Sequence, residues 1–265
     1  MTFNAFVSQI FRFFVGFKKV LKLNLIIEQG NSATKVAVYS QGQMILSSDY
    51  VDFSDSNLIR LFDQYPLKNG IFSTVVDAKK ALITRLESQL EHFFFFDENV
   101  RLPIEIRYQT PETLGRDRIA VAVGANFLQP QKDILVIDAG TAITYEVVEA
   151  SGVYLGGNIS PGMTTRFHAL NRYTKRLPLV EERECVPLLG TSTETAILAG
   201  VVRGIVFEMD GYMDELQDKY PCLYVFLTGG HAFYFEKRLK NAIFAVFNLV
   251  LIGLNRILEY NVDTQ

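Results

Sequence analysis

From Leu23 onward the apolar positions recur in an ordered way. Leu23–Ile27 is a short apolar run closed by Glu28-Gln29-Gly30-Asn31-Ser32, and Thr34–Tyr39 then alternates as a half-buried strand does. Gln43–Ser48 reads as a third strand, so the regular part of the chain opens as a β-meander. Leu58–Tyr65 and Ala78–Glu91 have helical spacing, with the strand-like Gly70–Thr74 between them. His92 and Phe93–Phe96 follow as a buried strand or helix end. Thr110-Pro111 predicts an N-cap and first helical position, opening an apolar helix that ends near Asn126. Gln129-Pro130-Gln131-Lys132 is the best candidate for a domain boundary, dividing the chain into 23–129 and 130–265. Thr193–Asp218 and Ala242–Tyr260 predict long helices.

An internal echo says more than any single element. Ile26-Ile27-Glu28-Gln29-Gly30-Asn31-Ser32-Ala33-Thr34 can be laid on Val136-Ile137-Asp138-Ala139-Gly140-Thr141-Ala142-Ile143-Thr144, 110 residues later. In both, a buried strand runs into a carboxylate, turns on a glycine and resumes as a strand. Such a turn aims backbone N–H groups and small hydroxyls at whatever sits above it. Two turns facing one another would clamp a polyphosphate, with the carboxylates reaching its metal ion. A third glycine element, Thr228-Gly229-Gly230-His231-Ala232, follows the apolar run Leu223–Leu227. It reads either as a nucleotide contact or as a plain strand-to-helix turn. No GxxxxGK(S/T) is present and no GxGxxG follows a strand, which excludes a P-loop and disfavours a Rossmann site.

Composition narrows the class. The 265 residues are 49% hydrophobic, with 26 Lys and Arg against 29 Asp and Glu, for a formal charge of −3. Such a chain buries a substantial core and is neither disordered nor a disulfide-stapled miniature. Nothing supplies the basic surface that nucleic acid requires. Cys185 and Cys222 lack metal-ligand spacing and are expected to be reduced core thiols, while His168 and His231 have no companion at ligand spacing and are expected to be structural. The charge is unevenly spread: residues 1–27 hold four bases and no acid, leaving 22 bases against 29 acids, or −7, for the rest. The head has neither a signal-peptide layout nor an uninterrupted apolar run long enough to span a membrane. An interfacial amphipathic helix and a non-native or misassigned extension both fit it. Residues 1–22 are taken as an extension outside the fold, and the chain as a soluble cytoplasmic enzyme with no nucleic-acid or membrane partner.

From about Leu23 to Ile257 the chain resembles the type III pantothenate kinases, in the superfamily that joins acetate and sugar kinases, heat-shock chaperones and actin. Glu28-Gln29-Gly30-Asn31-Ser32-Ala33-Thr34-Lys35 is similar to the family's first phosphate motif, and Asp138-Ala139-Gly140-Thr141-Ala142-Ile143-Thr144 resembles its second. Thr110-Pro111-Glu112-Thr113-Leu114-Gly115-Arg116-Asp117-Arg118 is similar to the signature T-P-x-T-L-G-x-D-R, the most specific match. Gly156-Gly157-Asn158-Ile159-Ser160-Pro161-Gly162 resembles the G-G-x-I-x-P-G loop. The resemblance implies an α/β fold of two actin-like (ribonuclease H-like) domains, each a mixed β-sheet flanked by helices. It also implies a homodimer whose interface helps form the pantothenate pocket. The implied activity is transfer of the γ-phosphoryl of ATP to the 4′-hydroxyl of pantothenate, the first committed step of coenzyme A biosynthesis.

Carried over by position, Glu28, Gln29, Gly30, Asn31, Ser32, Ala33, Thr34, Lys35 and Thr141 would touch ATP. Tyr108, Gly115, Arg116, Asp117, Arg118 and Thr193 would hold pantothenate, with Asp117 as the base. Asp138 would bind the monovalent cation, K⁺ or NH₄⁺, and Mg²⁺ would accompany ATP. The chemistry agrees with these roles, because phosphoryl transfer needs positioning, charge neutralisation and a group that orients the attacking hydroxyl. Asp117 sits between two arginines in sequence, which is expected to keep it ionised, and either arginine suits a carboxylate. Glu28 stands where the family pattern has Asp, one methylene longer, which is expected to shift the metal or to need a bridging water. Two other functions remain open at this point: a kinase for another small hydroxylated substrate, and a weak or inactive relative acting as a regulatory binding protein.

Overall fold

The computed structural model describes residues 22–263; the expectations for the basic head fall outside them, except at Lys22. The opening meander is strands β1 (Leu23–Gln29), β2 (Thr34–Ser40) and β3 (Gln43–Tyr50). Helix α1 (Asp55–Gln64), β4 (Leu67–Thr74), helix α2 (Lys80–Gln89) and β5 (His92–Phe95) complete a five-stranded sheet of order β3-β2-β1-β4-β5. The first three strands are antiparallel, whereas β4 and β5 join in parallel.

The second sheet repeats this plan. After β6 (Glu105–Ile106) and helix α3 (Arg116–Leu128), β7 (Ile134–Ala139), β8 (Ala142–Val148) and β9 (Val153–Pro161) form another antiparallel meander. Helices α4 (Met163–Tyr173) and α5 (Thr193–Lys219) precede β10 (Tyr224–Thr228), helix α6 (Ala232–Glu236), β11 (Phe244–Ala245) and helix α7 (Leu249–Val262). The order is β11-β10-β7-β8-β9-β6, so β9-β8-β7-β10-β11 mirrors β3-β2-β1-β4-β5 strand for strand. The echo between Glu28 and Asp138 thus extends to whole sheets, and each is a mixed sheet flanked by helices.

Alternation along the strands sorts side chains into layers. In β1, Leu25 and Ile27 join an outer core with Leu58 and Leu61 of α1 and Leu82 and Leu86 of α2. Ile26 points the other way, into a central core shared with α3, α7 and the second sheet's Ile134 and Val136. Leu135 and Ile137 of β7 face outward onto α4, α5 and α6. The pair α3–α7 therefore lies between the two sheets and packs against both.

That pair crosses on glycine. A Cβ on Gly253 would lie 1.8 Å from the Ala120 carbonyl oxygen, and one on Gly124 would lie 2.5 Å from that of Leu249. A buried amide chain secures α7 to the first sheet: Asn69 Nδ2 donates to Asn24 Oδ1, and Asn24 Nδ2 to Asn255 Oδ1, each at 2.9 Å.

Several expectations are corrected. The helix expected from Thr110 is interrupted: Pro111–Thr113 is one 3₁₀ turn, the backbone extends at Leu114, and α3 begins after Gly115. A Cβ at position 115 would fall 2.5 Å from Asp117 Oδ1, so glycine leaves room for that carboxylate to fold back. The helix expected from Ala242 starts only at Leu249, because Phe244–Ala245 pairs with β10 and the Phe244 ring stacks on Tyr224 at 4.1 Å. Gly156–Pro161 is strand rather than loop, bent by a bulge where Gly156 has φ of +133°. Cys185 and Cys222 are both exposed, not core thiols, since each lies in a connecting segment outside the packed elements.

Gly253→Ala is expected to lower stability by about 1–3 kcal/mol through overpacking against backbone. Thermal unfolding should show it as a fall of roughly 2–4 °C per kcal/mol.

Candidate active site

The two glycine turns face each other across the groove between the sheets. Gly30 N–H donates to the Ala33 carbonyl and Gly140 N–H to that of Ala142, both at 3.0 Å, so the turns are built alike. Their tips meet, with Ser32 Oγ and Thr141 Oγ1 3.4 Å apart. Between them lies a cleft of about 230 Å³ lined by Glu28, Gly30, Asn31, Ser32, Ala33 and Lys35 from one turn and Asp138, Gly140, Thr141, Ala142 and Thr144 from the other. Asp117 and Arg118 enter from the first turn of α3, and Gly229-Gly230 close the cleft from the second sheet.

Local chemistry explains the shape. Gly229 has φ of +93°, and a Cβ there would lie 2.3 Å from Asp138 Oδ1, so only glycine lets the strand end pass this close to the carboxylate. The second turn is braced by α4: Gly162 N–H and Thr165 Oγ1 both donate to the Thr141 carbonyl, at 3.0 and 2.7 Å. Asp117 Oδ1 accepts from the Arg118 N–H at 2.9 Å, in a helix first turn that favours a negative charge.

The cleft concentrates negative charge. Burial pushes the Glu28 carboxyl up to about 7, Lys35 pulls it down, and the neighbouring Asp117 and Asp138 push it up further. Burial likewise raises Asp138 to about 6, against the pull of Lys35 and with the push of Asp117 and Glu146. Three acids thus share one low-dielectric cleft with one lysine, a donor set of hard oxygens that a cation would relieve. Among the described residues no three His, Cys, Asp or Glu side chains close on a common point. A cation here would take its remaining ligands from a phosphate and water.

The expected site residues divide. Glu28, Gly30, Asn31, Ser32, Ala33, Lys35, Asp117, Arg118, Asp138 and Thr141 line the cleft. Gln29 and Thr34 pair at the base of the turn, and Gln29 Oε1 accepts from Thr74 Oγ1 at 3.2 Å. Tyr108 stands behind, its ring centroid 5.9 Å from the Arg118 guanidinium. Gly115 shapes the entry to α3. Arg116 is engaged elsewhere, 3.7 Å from Glu98 and over the Phe96 ring. Arg118 is buried and forms a two-pronged bond to Glu146, Nε to Oε1 at 2.7 Å and Nη2 to Oε2 at 2.8 Å. The charges around Asp117 in space therefore include Glu28 and Asp138, not its sequence neighbours alone. Thr193 opens α5 and lines a separate cavity of about 740 Å³ with Arg166, Leu170, Ile197 and Gly200. Glu146 went unread in the sequence; its signal was a carboxylate in the middle of the otherwise apolar strand Ala142–Val148. His168 and His231 line a neighbouring cavity of about 520 Å³ that shares Ser32 and Thr141 with the cleft.

Paired sheets of one topology, with facing turns at their ends, define an actin-like α/β architecture. Two solved structures are similar in fold. A conserved putative Baf family transcriptional activator from Campylobacter jejuni aligns with a TM-score of 0.57 at 22% identity, over 90% of this chain and 99% of that one. A putative 2-dehydro-3-deoxygalactonokinase from Sinorhizobium meliloti aligns with a TM-score of 0.58 at 11% identity, over 89% and 98%. The sequence profile of the type III pantothenate kinase family matches residues 24–215. The chain is 48% identical over 239 residues to a type III pantothenate kinase of Phocaeicola vulgatus, covering 90% of this chain and 99% of the relative. It is 40% identical over 240 residues to that of Cytophaga hutchinsonii, covering 91% and 100%. The chain belongs to the type III pantothenate kinase family.

The raised Glu28 pKa has a signed consequence. The folded state holds the proton more tightly than the unfolded chain, so stability falls as pH rises from about 4.5 to about 7 and then levels. Without nucleotide or divalent cation, Glu28→Gln should stabilise the protein by roughly 2–3 kcal/mol at pH 8 and by little at pH 4. Thermal midpoints across this range check it; a pH-independent difference would contradict the assignment.

Proposed function

We propose that the cleft transfers the γ-phosphoryl of ATP to the 4′-hydroxyl of pantothenate, giving 4′-phosphopantothenate for coenzyme A biosynthesis. One observation carries this reading: two glycine turns meet at Ser32 and Thr141 with Asp117 between them on a helix start. The backbone N–H groups and hydroxyls of both turns hold the polyphosphate, and Lys35 offsets its charge. The nucleoside end extends into the adjoining cavity beside His168 and His231. Asp117 accepts the hydroxyl proton as the oxygen attacks the γ-phosphorus, and the bond from that phosphorus to the β–γ bridging oxygen breaks to release ADP. The Arg118 guanidinium, its far edge on Glu146, offers remaining N–H groups to the pantothenate carboxylate beside Tyr108. Glu28 and Asp138 suit Mg²⁺ with ATP and a monovalent cation, K⁺ or NH₄⁺, by their oxygen donors and raised pKa values. Bound there, such ions would neutralise phosphate charge.

A homodimer fits the surface. Ala196, Gly200, Gly204, Phe207 and Gly211 form one stripe on α5. A Cβ at any of the three glycines would meet nothing within 4 Å, and Phe207 is 64% exposed. A second copy can approach this face closely, and a dimer across α5 is the arrangement that brings Thr193 toward a pantothenate pocket. The two free cysteines suit the reducing cytoplasm. No helix among the described residues is long and apolar enough to cross a membrane.

Pantothenate-dependent ADP release with Mg²⁺ and K⁺ is expected. Its absence, with the protein folded, would overturn the function. Asp117→Asn should keep nucleotide binding and lose about 10²–10⁴-fold in turnover; normal turnover would remove Asp117 as the base. Gly204→Arg should shift sedimentation from dimer to monomer, and an unchanged profile would place the interface elsewhere.

A further inference from the structure

Behind the cleft lies a charge that the reaction as described does not use. Glu146 sits in mid-strand on β8 with no exposed surface, and both its oxygens are occupied. One accepts from Arg118 Nε at 2.7 Å; the other accepts from Arg118 Nη2 at 2.8 Å and from the Tyr154 hydroxyl at 2.6 Å. Arg118 belongs to α3 and lines the cleft, so this ion pair joins the second sheet directly to the helix that carries Asp117.

The surroundings are shaped for the pair. A Cβ on Gly157 would fall 2.9 Å from Glu146 Oε2 and 1.5 Å from the Tyr145 carbonyl oxygen, so the adjacent strand leaves space only because glycine stands there. The Tyr108 ring centroid lies 5.9 Å from the guanidinium, and the Tyr108 and Tyr154 rings lie 6.2 Å apart, so Arg118 is held among carboxylate and rings. Burying two charges costs desolvation that their attraction seldom exceeds, so such a pair is a poor source of stability relative to apolar packing. What it supplies is direction. A guanidinium gripped at Nε and Nη2 has its plane fixed, and its other N–H groups can point only along the opposite edge.

We propose that Glu146 is a positioning residue: by fixing the Arg118 guanidinium it sets the angle at which Arg118 receives the substrate carboxylate, and hence where the hydroxyl falls relative to Asp117. This rests on the pantothenate kinase reading and adds to it a determinant lying outside substrate contact. The Arg118 backbone N–H also donates to Asp117 Oδ1 at 2.9 Å, so the grip reaches the base through one residue.

A double-mutant cycle tests the role. Glu146→Gln keeps the size and removes the charge; it should raise the pantothenate KM by about 10–100-fold while the ATP KM stays within about twofold. Arg118→Gln should do the same, and in that background Glu146→Gln should add less than about twofold, because the residue acts through Arg118. The double variant removes both buried charges together, which keeps the experiment informative should the single variant fold poorly. Glu146→Asp, a shorter grip with its charge intact, should recover part of the lost affinity. The proposal is overturned if Glu146→Gln leaves the pantothenate KM unchanged, or if it raises the ATP and pantothenate KM alike in both backgrounds. Calorimetric binding of pantothenate to the wild type separates the two levels: a wild type that neither binds nor phosphorylates it overturns the reading and the proposal together.

Discussion

The crossing of α3 and α7 on Gly124 and Gly253 is the contact on which the rest depends. Helices this close let two sheets share one central core, with Ile26 and Val136 reaching it from opposite sides. The same contact fixes the direction of α3, and therefore where Gly115, Asp117 and Arg118 arrive. Nothing in the cleft sets that helix by itself: the facing turns belong to two sheets, and α3 is what the sheets are packed around. A displacement of the helix pair would move Asp117 relative to both phosphate turns at once.

Charge is then distributed about this frame in two zones. In front, Glu28, Asp138 and Asp117 crowd a single lysine, an arrangement that is unfavourable until positive charge arrives. Behind, Arg118 and Glu146 neutralise each other in a buried, two-pronged pair. The front zone is unsatisfied, the rear zone satisfied and rigid. Preorganised dipoles and charges do most for a phosphoryl transfer when they need not rearrange as the reaction proceeds.

Much of this was legible in the chain. The repeat around Glu28 and Asp138 announced a duplicated turn, because strand, carboxylate and glycine are local requirements that leave local marks. Alternation marked the meander for the same reason. The end of α3 was also placed well, but its start was not, since Gly115 interrupts the helix for the sake of the Asp117 carboxylate, a contact between side chain and turn. The short strand Phe244–Ala245 exists only because β10 lies beside it and Tyr224 offers a ring. Gly124 and Gly253 carry no local signal of their role, because each is explained only by the helix that crosses it. Glu146 is a charge in a largely apolar strand, and its role was not legible because its partner lies 28 residues away on a helix.

The placement of α7 has a consequence for how the molecule is made. The helix covers the inner face of the first sheet, whose strands were synthesised some two hundred residues earlier. Until Leu249–Val262 has been made, Ile26, Ile71 and the face of α3 that meets α7 lack the cover that this helix gives. Neither half of the duplicated fold can therefore finish first and wait for the other. The central core closes in one late, long-range step, the kind of topology that folds slowly and leaves apolar surface open to aggregation or to chaperones in the meantime.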